Sequence, residues 1–269
     1  MHPLDELIRL QQQAPGRYIA GTHPGYANAV GPFGGATTSQ LLTAALQHPE
    51  RLGEPVAQTV HFAAPIVDGE FELMAQPVRT NRSTQHWLMQ AHQRGQLVAM
   101  GTAVFALRRE SWSAIDAALP DNIPPAASVA SFDAPQRPEF TRRYDLRYFQ
   151  GAVSVTGEGQ ERDDAESALW VRDEPARPLD FTSLAALCDV FFPRLMVRRQ
   201  RRQPMGTITL TSYFHADSAM LAEVGTQHLL GVARARAYRA GYFDQSAEIW
   251  SPAKELLATT HQMVYFKDI

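Results

Sequence analysis

Two stretches of this chain recur at nearly one spacing, and that repeat constrains the fold more than any composition figure. "TVHFAAP" matches "LTSYFHA", with Phe62 and Phe214 lying 152 residues apart. "QLVAMGTAVF" matches "ELLATTHQMV", with Leu97 and Leu256 lying 159 residues apart. Near-equal offsets over two separate segments describe a tandem repeat, the second copy lengthened by a loop around Ser251–Lys254. Between the copies, Ala118 to Arg137 reads "ALPDNIPPAASVASFDAPQR", rich in Pro, Ala and Ser without a sustained period, as a linker does.

Each copy has the same plan. The first opens with a short helix, "PLDELIRLQQQ", then a Gly turn leading into the helix "GPFGGATTSQLLTAALQH", with Leu41, Leu42 and Ala45 among its apolar positions. Four strands are predicted after it: "PVAQTVHFAAP", "GEFELMAQPVRT", "STQHWLMQAHQ" and "QLVAMGTAVFALRR". In the second copy "EFTRRYDLRYF" and "ESALWVRD" are strands, and "TSLAALCDVFFP" occupies the helix position. "MGTITLTSYFHA", "HLLGVARARAYRAGYF", "AEIWS" and "ELLATTHQMVYF" follow as strands. One long helix with several long strands and mostly short turns describes an α+β unit, an antiparallel sheet wrapped around a single helix. Two such units side by side can share one sheet.

The order "FGG" then helix, "TVHFAAP", "RTNRSTQHWLMQAHQRGQLVAMGTAVF", "SALWVRD", "LAALCD", "FFP", "GTITLTSYFH" and "EIWSPAKELLATTHQ" resembles the double hot-dog acyl-CoA thioesterases of the thioesterase II type. The resemblance spans nearly the whole chain outside the linker. It implies a tandem hot-dog fold with residues 1–112 as the first unit, 113–137 as linker and 138–269 as the second unit. It also implies hydrolysis of a fatty or related acyl-CoA to free acid and CoA. By motif, the family's catalytic aspartate, threonine and glutamine fall on Asp189 of "LAALCD", Thr207 of "GTITLTSYFH" and Gln262 of "LLATTHQ". Two neighbours depart from the family pattern. Met263 stands where an acidic residue usually follows the glutamine, and Thr209 and Leu210 stand where the strand usually carries Asp-His.

The chemistry of the three residues fits a thioester hydrolase. A carboxylate can take a proton from water, while a hydroxyl and a carboxamide can hold the water oxygen without adding charge. The expected arrangement has Asp189 as general base, with Thr207 and Gln262 fixing the water; attack by the carboxylate itself is the alternative. On strict strand alternation Ile208, Leu210 and Phe214 share one face, and Thr207, Thr209 and Thr211 the other. In the first copy Ala103 stands at the position of Gln262, and its helix carries no carboxylate. A single site per chain follows, built where the second unit meets the first. Taken alone, Asp189 reads as an ion-paired or partly exposed helix residue, Thr207 and Gln262 as ordinary strand residues, and Cys188 as a small buried apolar group.

Two further segments are candidates for substrate binding. "GPFGG" precedes a helix, so the backbone at Phe33, Gly34 and Gly35 can meet an anion or the thioester oxygen; a plain tight turn is the other reading. Arg198, Arg199, Arg201 and Arg202 of "RLMVRRQRRQ" can meet the phosphates of CoA, or can form a solvated loop.

The net charge of −3 gives no global field for nucleic acid or an anionic membrane, and neither is expected as a partner. With one cysteine there is no disulfide framework, and the nine histidines form no metal pattern, so no metal and no cofactor are expected. The opening segment lacks the apolar core of a secretory signal and no stretch reaches membrane-span length, which makes the cytoplasm the expected location. A complete monomer and a homo-oligomer are both compatible with the repeat. Two other functions remain open: a non-catalytic acyl-CoA-binding hot-dog protein, and an acyl-thioester hydratase or dehydratase. The second needs a histidine beside the acid, which neither "ALCDVFF" nor "GGATTSQ" supplies.

Overall fold

The computed structural model describes residues 1–134, 136–154, 156 and 159–268. Pro135, inside the expected linker, and residues 155, 157, 158 and 269, inside the expected second unit, lie outside the described residues. The first half runs α1 (Pro3–Leu7), β1 (Gln11–Ala14), β2 (Arg17–Gly21), α2 (Gly34–Leu46), β3 (Glu54–Phe62), β4 (Glu70–Thr80), β5 (Thr84–Gln93) and β6 (Gln96–Ala106). The second runs β7 (Tyr144–Gln150), β8 (Ser167–Asp173), α3 (Phe181–Leu187), α4 (Arg194–Arg199) and β9 (Met205–Phe214). It closes with α5 (Ser218–Val224), β10 (Leu229–Arg234), β11 (Tyr238–Arg239), β12 (Tyr242–Trp250) and β13 (Leu256–Phe266).

The strands form one 13-stranded sheet in the order β1-β2-β4-β5-β6-β3-β9-β13-β12-β10-β8-β7, with β11 beside β12. Outward from the centre the two halves place their strands in the same succession. They join where β3 pairs antiparallel with β9, Thr59 opposite Thr211. These two threonines are repeat equivalents, 152 residues apart, and their hydroxyls bond at 3.0 Å. Ala57 to His61 on β3 therefore each meet a residue of β9 placed symmetrically about this pair, so the sequence offset reappears as an internal twofold. The second offset reappears too: Ala103 stands opposite Gln58 on β3, and Gln262 opposite Leu210 on β9.

α2 packs on β2, β3, β4 and β5 and against α3. Every residue from Gly35 to Ala45 is buried, including Thr37, Thr38, Ser39, Gln40 and Thr43. Most of the polar ones are matched internally: Gln40 donates to the carbonyls of Leu7 and Gly21, Ser39 to the carbonyl of Thr182 at 2.7 Å and Thr43 to that of Ser39, while the Thr38 hydroxyl has no partner. A helix enclosed on all sides needs such partners, because each unpaired buried polar group costs on the order of 1–3 kcal/mol.

Several expected elements differ in length. α1 spans only Pro3–Leu7, and Gln11–Gln13 are already strand. "AEIW" is the end of the nine-residue β12, which starts at Tyr242, and Ser251 follows the strand. The second helix is seven residues, not a long one. Asp180 caps it, its side chain accepting from Ser183 N–H at 2.8 Å. Its far end is fixed by Val190, Phe191 and Phe192, poor helix formers, and by Pro193, which drives the preceding residue out of helical geometry.

The segment expected to be a linker lies against the second half. Arg147 of β7 donates to the carbonyls of Ala126 and Val129, and Trp170 of β8 donates to that of Pro124. Phe132 from the same segment meets the Phe192 ring edge-on, centroids 5.5 Å apart. Among the described residues no helix is long and apolar enough to cross a membrane.

Candidate active site

Asp189 sits in the turn two residues past the end of α3, its N–H bonded to the Ala186 carbonyl at 3.1 Å. α2 and α3 lie antiparallel, as the Ser39–Thr182 contact at one end and the Gly35–Ala186 contact at the other require. The N-terminus of α2 therefore meets the end of α3, and the Gly35 N–H donates to the Asp189 carboxylate. Burial pushes this carboxyl up to about 7, against the Gln262 and Gly35 hydrogen bonds, which favour the ionised form. None of the ion pairs among the described residues involves Asp189.

Gly34 and Gly35 are required here by space. A Cβ on Gly34 would lie 2.7 Å from Asp189 Oδ2, and one on Gly35 would lie 2.5 Å from the Ala186 carbonyl oxygen. The "GPFGG" segment thus serves the aspartate: one of its N–H groups is committed to Asp189.

Gln262 on β13 donates through Nε2 to Asp189 Oδ1 at 2.8 Å, and its Oε1 accepts from the Thr207 hydroxyl at 3.2 Å. The three side chains form a directed chain, Thr207 to Gln262 to Asp189. They touch directly, where the sequence reading put a water between them.

Strand alternation misplaces Thr207, and the register shows why. Met263 pairs with Thr209, but Val264 pairs with Thr207, so Ile208 is an extra residue, a β-bulge. The bulge reverses the alternation at the start of β9. Thr207 returns to the face of Leu210 and stands beside Gln262, instead of on the opposite face with Thr211.

These groups line a cavity of about 70 Å³. Its polar side comprises Asp189, Thr207 and Gln262 with Gln245 and Asn28; its apolar side includes Phe33, Phe140, Phe191, Phe192 and Val264. Asn28 and Phe33 come from the first half, so the site is shared between halves. Gln245 stands opposite Gln262 in the β12–β13 register, and its Oε1 accepts from the Arg194 N–H at 3.0 Å. Sequence reasoning missed Asn28, Phe140, Phe191, Phe192 and Gln245. A register opposite Gln262 was the one available signal for Gln245. A larger cavity of about 440 Å³ lies over β2, β4 and the β5–β6 turn, and none of the three candidate catalytic residues reaches it.

The four candidate arginines do not line the small cavity. Arg199 pairs with Asp268 at 2.5 Å and Arg201 with the same carboxylate at 3.4 Å. Arg202 donates to Gln136. Arg198 Nη1 is buried without a hydrogen-bond partner. They stand on α4 and the loop after it, which begins at the cavity residue Pro193. The fifth arginine of the run, Arg194, is buried among the Phe192 carbonyl, the Ala165 carbonyl and the Ser167 hydroxyl. Cys188 is buried, and burial pushes its thiol up to about 12, far from a reactive thiolate. Among the described residues no cluster of His, Cys, Asp and Glu could hold a metal ion.

The sequence matches the profile of the acyl-CoA thioesterase N-terminal domain over residues 22–106. It matches that of the acyl-CoA thioesterase C-terminal domain over residues 120–266. Among solved structures, a conserved protein of unknown function with a hot dog fold from Alicyclobacillus acidocaldarius is 46% identical. It matches with a TM-score of 0.94 over 100% of this chain and 99% of its own. An acyl-CoA thioesterase II, TesB2, from Mycobacterium marinum is 16% identical, with a TM-score of 0.76 over 99% of this chain and 98% of its own. The tesB protein of Mycobacterium avium subs. paratuberculosis is 15% identical, with a TM-score of 0.79 over 98% of each chain. No curated protein sequence matches the chain.

Proposed function

Because the chain belongs to the acyl-CoA thioesterase family and is a thioester hydrolase, we propose that it hydrolyses acyl-CoA esters with Asp189 as general base. The observation that carries this is the hydrogen-bond chain Thr207–Gln262–Asp189, ending at a cleft on a half-buried residue whose carboxyl is pushed up to about 7. A base poised near neutrality combines the right protonation state with driving force for proton transfer.

In the proposed step, Asp189 takes one proton from a water while the water oxygen bonds to the thioester carbonyl carbon. The carbon–sulfur bond then breaks, and the proton passes to the departing CoA thiolate. Gln262 Nε2 keeps a second N–H for the water oxygen. Thr207 gives its own proton to Gln262, which leaves the lone pairs of its oxygen facing the cleft. Gly35 N–H is committed to Asp189, so the first free donor at the α2 N-terminus, Gly34 N–H, is assigned to the thioester oxygen. No histidine lines the cleft among the described residues, which argues against hydratase chemistry.

Around this site we read residues 1–112 and 138–269 as two hot-dog units, each sheet wrapped around its helix, with 113–137 as the linker. Phe33, Gly34 and Gly35 form the substrate-facing helix end. The phosphates of CoA fall to Arg198, Arg199, Arg201 and Arg202, which begin one helical turn beyond Pro193. Fatty acid metabolism in the cytoplasm is the setting that suits this activity.

Hydrolysis of acetyl- to palmitoyl-CoA, wild type beside Asp189→Asn, tests the proposal. Turnover of at least one ester, lost by 100-fold or more in the variant, is expected for a general base. An undiminished variant overturns it. Single-turnover hydrolysis in ¹⁸O-water separates the two roles of Asp189, since label in its side chain identifies a nucleophile.

A further inference from the structure

Asp189 is half-buried and lines a small cleft, so the reacting carbonyl enters that cleft together with the start of its acyl chain. Building on the thioesterase function proposed above, we propose that the chain is selective for short acyl groups, of about two to four carbons, and that Phe191 sets the limit.

Size comes first. An apolar cavity of about 150 Å³ takes up benzene, a six-carbon ligand. The cleft at Asp189 measures about 70 Å³, which is room for roughly half as many carbons.

The walls are backed on the far side. Phe33 stacks face to face on Phe140, centroids 4.2 Å apart and planes 2° from parallel, and both are buried. Neither ring can tilt without breaking that stack. Phe192 is held between Tyr148, stacked at 6.1 Å, and Phe132 from the linker, edge-on at 5.5 Å. Close-packed interiors leave no slack for such rings to yield.

Phe191 differs from these rings, because it lines the cleft and its ring also reaches the sheet at β10. Its far edge rests on β10, where a Cβ on Gly231 would lie 2.7 Å from the ring. The absent side chain at Gly231 is the space that the ring fills. In this proposal a longer acyl chain runs from the cleft toward β10, the direction that the Phe191 ring fills.

The test is a chain-length series on the wild type with acetyl-, propionyl-, butyryl-, hexanoyl-, octanoyl- and palmitoyl-CoA, repeated on Phe191→Leu and Phe191→Ala. Since one surplus methylene costs about tenfold or more in a closed pocket, kcat/KM is expected to fall at least about 100-fold from butyryl to octanoyl in the wild type. The variants should raise the octanoyl-to-butyryl ratio at least about tenfold by opening that direction. Wild-type preference for octanoyl-CoA or longer overturns the inference, as does an unchanged ratio in a folded Phe191→Leu. If no ester of any length is turned over, it is the thioesterase function that fails. Calorimetric binding of the same esters to the wild type then decides the size limit: butyryl-CoA binding tighter than octanoyl-CoA upholds it, and the reverse order overturns it.

Discussion

A side chain on Gly34 would begin 2.7 Å from Asp189 Oδ2, inside the contact distance of any carbon and oxygen. The helix start and the carboxylate are fitted to each other, and Gly34→Ala must move one of them. Displacing a base by a fraction of an ångström costs about 10- to 100-fold in kcat. Steady-state kinetics, with circular dichroism to confirm the fold, should show that loss with the secondary structure intact.

The acid limb of the pH profile follows from Asp189. Only the ionised carboxylate accepts a proton, and burial pushes this group up to about 7. kcat/KM should therefore rise from pH 5 to pH 8 with a midpoint near 7, instead of reaching its plateau by pH 5 as an ordinary aspartate would allow. A profile flat from pH 5 upward contradicts the assignment.

Gln262→Ala removes the hydrogen bond that favours the ionised form of Asp189. Two effects are expected together: kcat lower by about 100-fold, and the profile midpoint moved to higher pH. A loss of activity with an unmoved midpoint would mean that Gln262 acts on the water alone.

Stability responds to the same carboxyl with the opposite sense to activity. A folded-state value raised above the unfolded one gives stability that is fully present below about pH 4 and lost as the pH rises through 7. Asp173, raised by burial to about 6, adds to the same trend. Replacing Asp189 by Asn removes its share. Between pH 5 and 8 the stability of Asp189→Asn relative to wild type should therefore improve by on the order of 3 kcal/mol, measured as Tm at the two pH values.

Neutral replacement of Arg198, Arg199, Arg201 and Arg202 together should raise KM for acyl-CoA esters severalfold. A short thioester lacking the nucleotide should be unaffected. Equal effects on both substrates would remove these side chains from phosphate binding.

Much of this molecule is legible in one dimension because strand patterns and repeats are local. The offset of 152 residues places Thr59 against Thr211, and β3 to β6, β9 and β13 fall where alternation predicts them. Asp189, Thr207 and Gln262 are identifiable as residues through a family resemblance, since each sits in a recognisable local motif. Their meeting is not local. Ile208 becomes a bulge only against β13, and that bulge turns Thr207 toward Gln262. The second helix stops after seven residues because Pro193 and the aromatic run before it favour a turn, which sets Asp189 beyond the helix and under the α2 N-terminus. The carboxyl is pushed up by burial, a property of everything packed around it. The cleft's size likewise depends on Phe33, Phe140, Phe191 and Phe192 closing from both halves and on Gly231 yielding space. The sequence by itself determined the repeat, the strands and which residues are candidates for the site, all carried by neighbours along the chain. Tertiary structure alone decided their contact, their protonation and the room left for a substrate, because each depends on atoms brought together from distant segments.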